Sequence, residues 1–146
     1  TYRFVEKEPL YPFGYGLTYG NAKVIGCEAK QPSDYASVCE NGLDLAVSMI
    51  NNGEYEVDEV LQVYAHVIGT ENEVKNPKLA AFTRVHLQPN QEVRIDIHVA
   101  KDAFSTINNE GEKVFDGTGA KVYVGCGQPD KRTEQLRADE VCVLNV

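Results

Sequence analysis

At 146 residues and 16.2 kDa the chain is one ordinary domain, long enough to bury roughly two-thirds of its unfolded surface without metals or disulfides. It is 42% apolar and 25% charged, a globular composition, and its net charge of −8 argues against nucleic acid and anionic membranes as partners, since both demand clustered Lys and Arg. No apolar run approaches the roughly 18 residues of a membrane span, and neither a signal peptide nor an initiator Met opens the chain, so Thr1 reads as the start of a piece of something larger.

Residues 1–19, TYRFVEKEPLYPFGYGLTY, form an arm. Six of the thirteen aromatic residues fall here, Tyr2, Phe4, Tyr11, Phe13, Tyr15 and Tyr19, punctuated by Pro9, Pro12, Gly14 and Gly16. Proline removes backbone donors and glycine weakens regular elements, so neither helix nor central strand is expected. A stretch this aromatic and irregular cannot bury itself. The expectation is that Tyr15 to Tyr19 folds back on the domain, while Thr1 to Phe13 waits for a neighbouring domain or a second copy of the chain.

From residue 20 onward the apolar pattern has period two, the mark of half-buried strands. Lys23 to Ala29 is a short strand with Ile25, Cys27 and Ala29 on one face. Residues 30–42 read as a polar loop. Leu43, Leu45, Val47 and Met49 alternate along a second strand, ended by the Asn51-Asn52-Gly53 turn. Val60 to Ile68 is a third, with Leu61, Val63, Ala65 and Val67 on one face; Leu79 to Leu87 is extended, and Pro89-Asn90 turns the chain. Val93, Ile95, Ile97 and Val99 alternate against Arg94, Asp96 and His98 in the cleanest strand of all. Asp102 to Ile107 reads as a single helical turn, Ala120 to Cys126 as a strand, residues 128–138 as a charged loop, and Val141 to Val146 as the last strand. About seven strands at this spacing, with no three-turn helical stripe, predict an all-β, immunoglobulin-like or fibronectin type III-like antiparallel sandwich over residues 20–146. Leu45, Val47, Leu61, Val63, Ile95, Ile97, Val122 and Val124 are the expected core.

Chemistry-bearing groups are sparse. There is no nucleophile elbow, zinc-protease helix motif, P-loop or dinucleotide fingerprint, and no catalytic residue, metal ligand or cofactor-binding residue is assigned. Gly14-Tyr15-Gly16 lacks the third glycine and the helix of a nucleotide loop, and reads as a turn. His66, His86 and His98 lie within predicted strands as solvent-facing side chains. Glu54, Glu56, Asp58 and Glu59 crowd beside a turn but lack calcium-loop spacing, so they read as a solvated acidic run. Cys27, Cys39, Cys126 and Cys142 form no C-x-x-C pair. Bridges Cys27–Cys39 and Cys126–Cys142 are arithmetically open, but a domain of this size needs no staple. Four reduced thiols are expected, with a weak lean toward a cytoplasmic, reducing compartment. Aromatic faces also stack on sugar rings, but rings crowded into a Pro/Gly arm suit protein docking better than sugar binding.

Within the arm, Pro9-Leu10-Tyr11-Pro12-Phe13-Gly14-Tyr15-Gly16-Leu17-Thr18-Tyr19 resembles the P-L-Y-P-F-G-Y-G-L-S-Y signature of glycoside hydrolase family 3, the β-glucosidases and β-xylosidases, and Thr1-Tyr2-Arg3-Phe4 resembles the T-Y-R-Y before it. Asn52-Gly53, Glu59-Val60, Gln62 and Tyr64 are similar to the family's N-T-G…E-V-x-Q-x-Y. Lys78-Leu79, Phe82, Arg84-Val85 and Leu87 resemble K-x-L-x-G-F-x-R-V-x-L, and Val122, Val124 and Gly125 the closing V-x-V-G. Departures are Ala81 for the Gly before Phe82, Asn90 for the Gly of the Pro-Gly turn, and Ala120 for an aromatic. The resemblance implies a C-terminal fibronectin type III-like domain joined by the arm to the catalytic domains of a retaining β-glycosidase. Its Asp nucleophile and Glu acid/base lie on those other domains. Retaining hydrolysis needs both carboxylates about 5 Å apart, so no residue of this chain is carried over as catalytic and no cofactor is implied. The implied partners are the parent's catalytic domains, docked through the six arm aromatics.

Overall fold

In a computed structural model of the chain, the residues described are Phe4, 6–137 and 141–146. The period-two runs become strands whose alternate side chains turn to one apolar interior. Strand β1 is Ala22–Ala29, β2 Leu43–Asn51, β3 Val57–Ile68, β4 Lys78–Leu87, β5 Glu92–Val99, β6 Thr106–Ile107, β7 Lys113–Val114, β8 Gly119–Gly125 and β9 Cys142–Asn145. They pair antiparallel into a three-stranded sheet, β1-β2-β5, a four-stranded sheet, β4-β3-β8-β9, and a short ribbon, β6-β7. The two larger sheets are the predicted seven-stranded sandwich. Leu45, Val47, Leu61, Val63, Val122 and Val124 are fully buried in one core with Leu43, Met49, Leu87, Val99 and Phe104.

Ile95 and Ile97 pack against that core but remain half-buried. Strand β5 is the edge of its sheet, with β2 on one side only, so its inward side chains stay partly open. The first strand departs further. Its pairing with β2 slips between Val24 and Gly26, and Ile25 sits in that bulge, exposed. A bulge inserts one unpaired residue and re-aims its side chain, so Ile25 does not share a face with Cys27 and Ala29 as the alternation predicts.

Two predicted loops contain short helices. Helix α1, Tyr35–Asn41, starts where the Asp34 carboxylate accepts from the Ser37 backbone N–H at 2.9 Å and stops at Gly42, whose φ of +77° suits glycine. Helix α2, Lys131–Arg137, is capped by Asp130, which accepts from Thr133 N at 2.7 Å. The predicted helical turn near residue 102 is a single 3-10 turn, Lys101–Phe104.

The expectation of four reduced thiols is corrected. Cys27 is bonded to Cys142, 115 residues away, while Cys39 and Cys126 stay outside any disulfide. Chain spacing favours near neighbours, but the sandwich brings β1, an edge of one sheet, against β9, an edge of the other. Their Cα atoms stand 6.2 Å apart there, within the range a disulfide spans, about 4.4–6.8 Å. Among the described residues no helix is long and apolar enough to cross a membrane.

Candidate functional site

Along β3 the inward residues Leu61, Val63 and Ala65 alternate with outward Val60, Gln62 and Tyr64. An outward face normally meets water, yet Gln62 and Tyr64 are almost fully buried. The arm runs over this face. Pro12 is buried at the head of a turn in which Tyr15 N donates to Pro12 O at 3.1 Å, and Gly14, third in that turn, has φ +77°. Only glycine takes this position at no steric cost. A Cβ on Gly14 would also sit 3.0 Å from the Gln62 amide oxygen, so the arm lies directly on the sheet at that residue. Beneath it, Tyr64 Oη donates to Gln62 Oε1 at 2.8 Å.

Helix α2 and the loop before it hold the arm from the side. Phe13 N donates to Gln128 Oε1 at 3.2 Å, and Arg132 Nε donates to Leu10 O at 3.3 Å. Arg137, at the end of α2, pairs with Glu59 at 2.8 Å, both side chains only about a tenth exposed. That pair lies in a cavity of about 420 Å³ walled by Phe13, Leu17, Val60 and Phe82. None of Gln128, Arg132 and Arg137 stands out in the sequence. Asp130 ahead of Thr133 and Glu134 was the available signal, a cap followed by an acidic first turn.

The predicted docking aromatics divide. Tyr2 lies outside the described residues. Tyr11 and Tyr15 stack with ring centroids 5.4 Å apart, Tyr15 half-buried and Tyr11 62% exposed. Phe4 and Phe13 are exposed to a lesser degree than Tyr19, which stands 93% exposed like its neighbour Leu17. The seating therefore reverses the expectation: the arm is fixed at Pro12 to Gly14, and the stretch expected to fold back, Tyr15 to Tyr19, carries its two most open apolar side chains. Phe82, at 68%, and Val60 continue this apolar surface onto the sheet.

The opposite outer face differs in kind. On β1-β2-β5, Lys30 pairs with Asp96, Arg94 with Glu28, and His98 Nδ1 meets Asp44 Oδ1 at 2.8 Å, a surface of matched charges suited to water. The acidic run beside the first turn is likewise spread out rather than convergent. Asp58 meets Arg84 at 3.1 Å and His86 at 3.0 Å, Glu59 turns to Arg137, and Glu56 accepts from Gln88 at 3.1 Å. His66 pairs with Glu73 at 3.2 Å. Among the described residues no three His, Cys, Asp or Glu side chains are grouped to hold a metal ion.

Residues 59–128 match the family model of the fibronectin type III-like domain. A putative β-xylosidase of Formosa agariphila is 27% identical over 138 residues, covering 93% of this chain and 18% of the relative. A β-glucosidase of Kluyveromyces marxianus is 32% identical over 114 residues, covering 75% of this chain and 13% of the relative. The crystal structure of β-glucosidase from Listeria innocua in complex with isofagomine superposes with a TM-score of 0.70 at 29% identity, over 95% of this chain and 18% of that one. A Bifidobacterium adolescentis GH3 β-glucosidase shares the fold, with a TM-score of 0.76 at 20% identity, over 99% of this chain and 20% of that one. The chain thus spans about a fifth or less of the proteins it matches, in each of which the matched region is part of a much longer chain. By arm motif, by relatives and by fold, the chain is a fibronectin type III-like domain of the type found in β-glucosidases and β-xylosidases of glycoside hydrolase family 3.

Proposed function

We propose that this chain is the non-catalytic C-terminal domain of a retaining β-glycosidase, with residues 1–19 as its docking arm, residues 20–146 as the domain proper, and the parent's catalytic domains as its partner. The observation that carries the reading is the asymmetry of the two outer faces. One presents only paired charges among its described contacts; the other carries the Asp58–Arg84–His86 cluster but also presents Leu17, Tyr19, Phe82 and Val60 beside the arm. Exposed apolar residues grouped on one side of a small domain mark an interface, and aromatic anchors carry most of the energy in such contacts. The domain stabilises the catalytic domains by covering apolar surface on both sides of the contact.

Two measurements test this. The purified chain is expected to hydrolyse neither an aryl β-glucoside nor an aryl β-xyloside; turnover would overturn the accessory reading. In a whole enzyme carrying the chain, Leu17→Asp with Tyr19→Asp is expected to lower the melting temperature by about a degree or more, the shift per kcal/mol shrinking as a protein grows. Arg94→Glu, on the charged face, is the control. Equal melting of all three enzymes would remove docking as the role of the arm.

A further inference from the structure

On its other flank the arm borders a second, larger cavity of about 880 Å³, between Tyr11 and Phe13 on one side and Asn76, Gln128, Asp130 and Arg132 on the other. Pockets for small ligands run about 300–1,000 Å³ and combine apolar or aromatic walls with a few placed polar groups. We propose that this groove is a saccharide-binding site, taking a short neutral oligosaccharide. The inference stands apart from the docking role above, which rests on the opposite flank of the arm.

Stacking on a sugar requires an aromatic ring held still with one face open. Read as a loose Pro/Gly arm, the segment offers no such ring; laid on the sheet, it does. Tyr11 is backed by Tyr15 on one side and 62% exposed. The backbone on either side of it is fixed by the Leu10–Arg132 bond and the Phe13–Gln128 bond. Ordering the platform therefore costs nothing at the moment of binding.

The polar groups suit hydroxyls. Gln128, 8% exposed, turns its carbonyl oxygen to the arm and keeps its NH₂ donors. Asp130 spends Oδ1 on the helix cap, while its Oδ2 is buried with no hydrogen-bond partner among the described residues. Both Asp130 oxygens are thus turned inward, so the groove's partners for hydroxyls are Gln128 and Arg132. Arg132 uses Nε on Leu10 O and Nη1 on Gln135, leaving Nη2 for a ring or hydroxyl oxygen. Planar N–H donors of this kind match the oxygen lone pairs of adjacent sugar hydroxyls. Around the groove Glu6, Glu8 and Asp130 nearly offset Lys7, Lys75, Lys131 and Arg132, so no strong local field selects an anion, and the polar wall disfavours a lipid.

The test is a titration of the ¹⁵N-labelled chain with cellotetraose, xylotetraose, laminaritetraose and maltotetraose, followed by amide shifts. At least one is expected to give saturable shifts at Tyr11, Phe13, Gln128 and Asp130. Tyr11→Ala is expected to weaken binding about tenfold, the loss of one stacking contact, while Tyr11→Phe retains it. Arg132→Gln removes the groove's guanidinium donor and is also expected to weaken binding, whereas Phe82→Ala on the other flank leaves it unchanged. No saturable shift with any of the four sugars, or binding that survives Tyr11→Ala and Arg132→Gln, overturns the proposal. If the groove instead closes on the preceding chain in a whole enzyme, the four sugars will produce no shift in that enzyme while still doing so here, which restricts the site to the free domain and overturns it for the enzyme.

Discussion

Asn51 joins three parts of the chain through one side chain. It is fully buried, its Oδ1 accepts from Asn21 N at 3.1 Å and Gly53 N at 2.9 Å, and its Nδ2 donates to Tyr55 O at 2.8 Å. The same Nδ2 also reaches Gln88 O in the next turn at 3.4 Å, and the backbone reinforces it, donating to Gln91 O at 3.0 Å and accepting from Asn90 N at 2.8 Å. The exit of the arm, the β2–β3 turn and the β4–β5 turn therefore share one amide. Asn51→Ala leaves buried backbone groups unpaired, at about 1–3 kcal/mol each. The expected loss in urea unfolding is about 3 kcal/mol; under about 1 kcal/mol would mean that water replaces the amide. Asp116 plays the matching part at the other end of the sandwich. Hydrogen bonds from Thr106 and Thr70, with a third from Asn72, hold its carboxyl down at about 2. A carboxylate whose pKa is lowered by folding adds stability above its unfolded value and loses it as pH falls through the folded one. The gap between the melting temperatures of the native chain and Asp116→Asn is thus expected to be full above about pH 4 and to close toward pH 2. A gap that stays constant over that window would mean the hydroxyls do not favour the charged form.

At the scale of elements, what periodicity reports is which side of a strand faces in, not how deep the strand lies. Leu61 on central β3 and Ile97 on edge β5 have equally clean alternation, yet Leu61 is fully buried and Ile97 is half open. Leu61→Ala is expected to cost about 2–5 kcal/mol, as for a filled core site. Ile97→Ala is expected to cost about half as much, because part of its surface never leaves water. Equal losses in chemical denaturation would place β5 deeper than an edge strand. The central strands were legible because each buries one whole face. Ile25 was not, since a bulge depends on pairing with β2 and leaves no mark in the alternation. The two helices were passed over because seven residues give too few turns for an apolar stripe, although Asp34 and Asp130 as caps and Gly42 as terminator were readable. The arm's composition announced a docking segment. Which part seats and which part stays open depended on Gln62 and Gln128, polar residues with no distinguishing pattern around them.

Across the whole molecule, the disulfide changes what holds the arm. Strand β1 begins at Ala22, directly after the arm, and β9 follows α2, which carries Arg132 and Arg137. The Cys27–Cys142 bond thus closes a ring: arm, β1, disulfide, β9, α2, and back to the arm through Leu10 and Phe13. Arg137 adds a cross-brace, donating to Ala22 O at 3.5 Å and to Glu59. Disulfides persist in oxidising compartments, so the lean toward a reducing one loses its basis in cysteine spacing. After unfolding without reductant, two thiols rather than four are expected to react with an alkylating reagent. Closing a loop of more than 100 residues restricts the unfolded chain by about 4–5 kcal/mol in the chain-entropy account, so reduction is expected to lower the urea midpoint clearly. Loss of the bond also frees β9 and the end of α2 from β1, but leaves β3 between β4 and β8. Hydrogen exchange at Phe13 is therefore expected to quicken on reduction more than at Leu61 or Val63. Four reactive thiols in the purified chain, or the same quickening at all three amides, would mean the ring does not hold the arm in place.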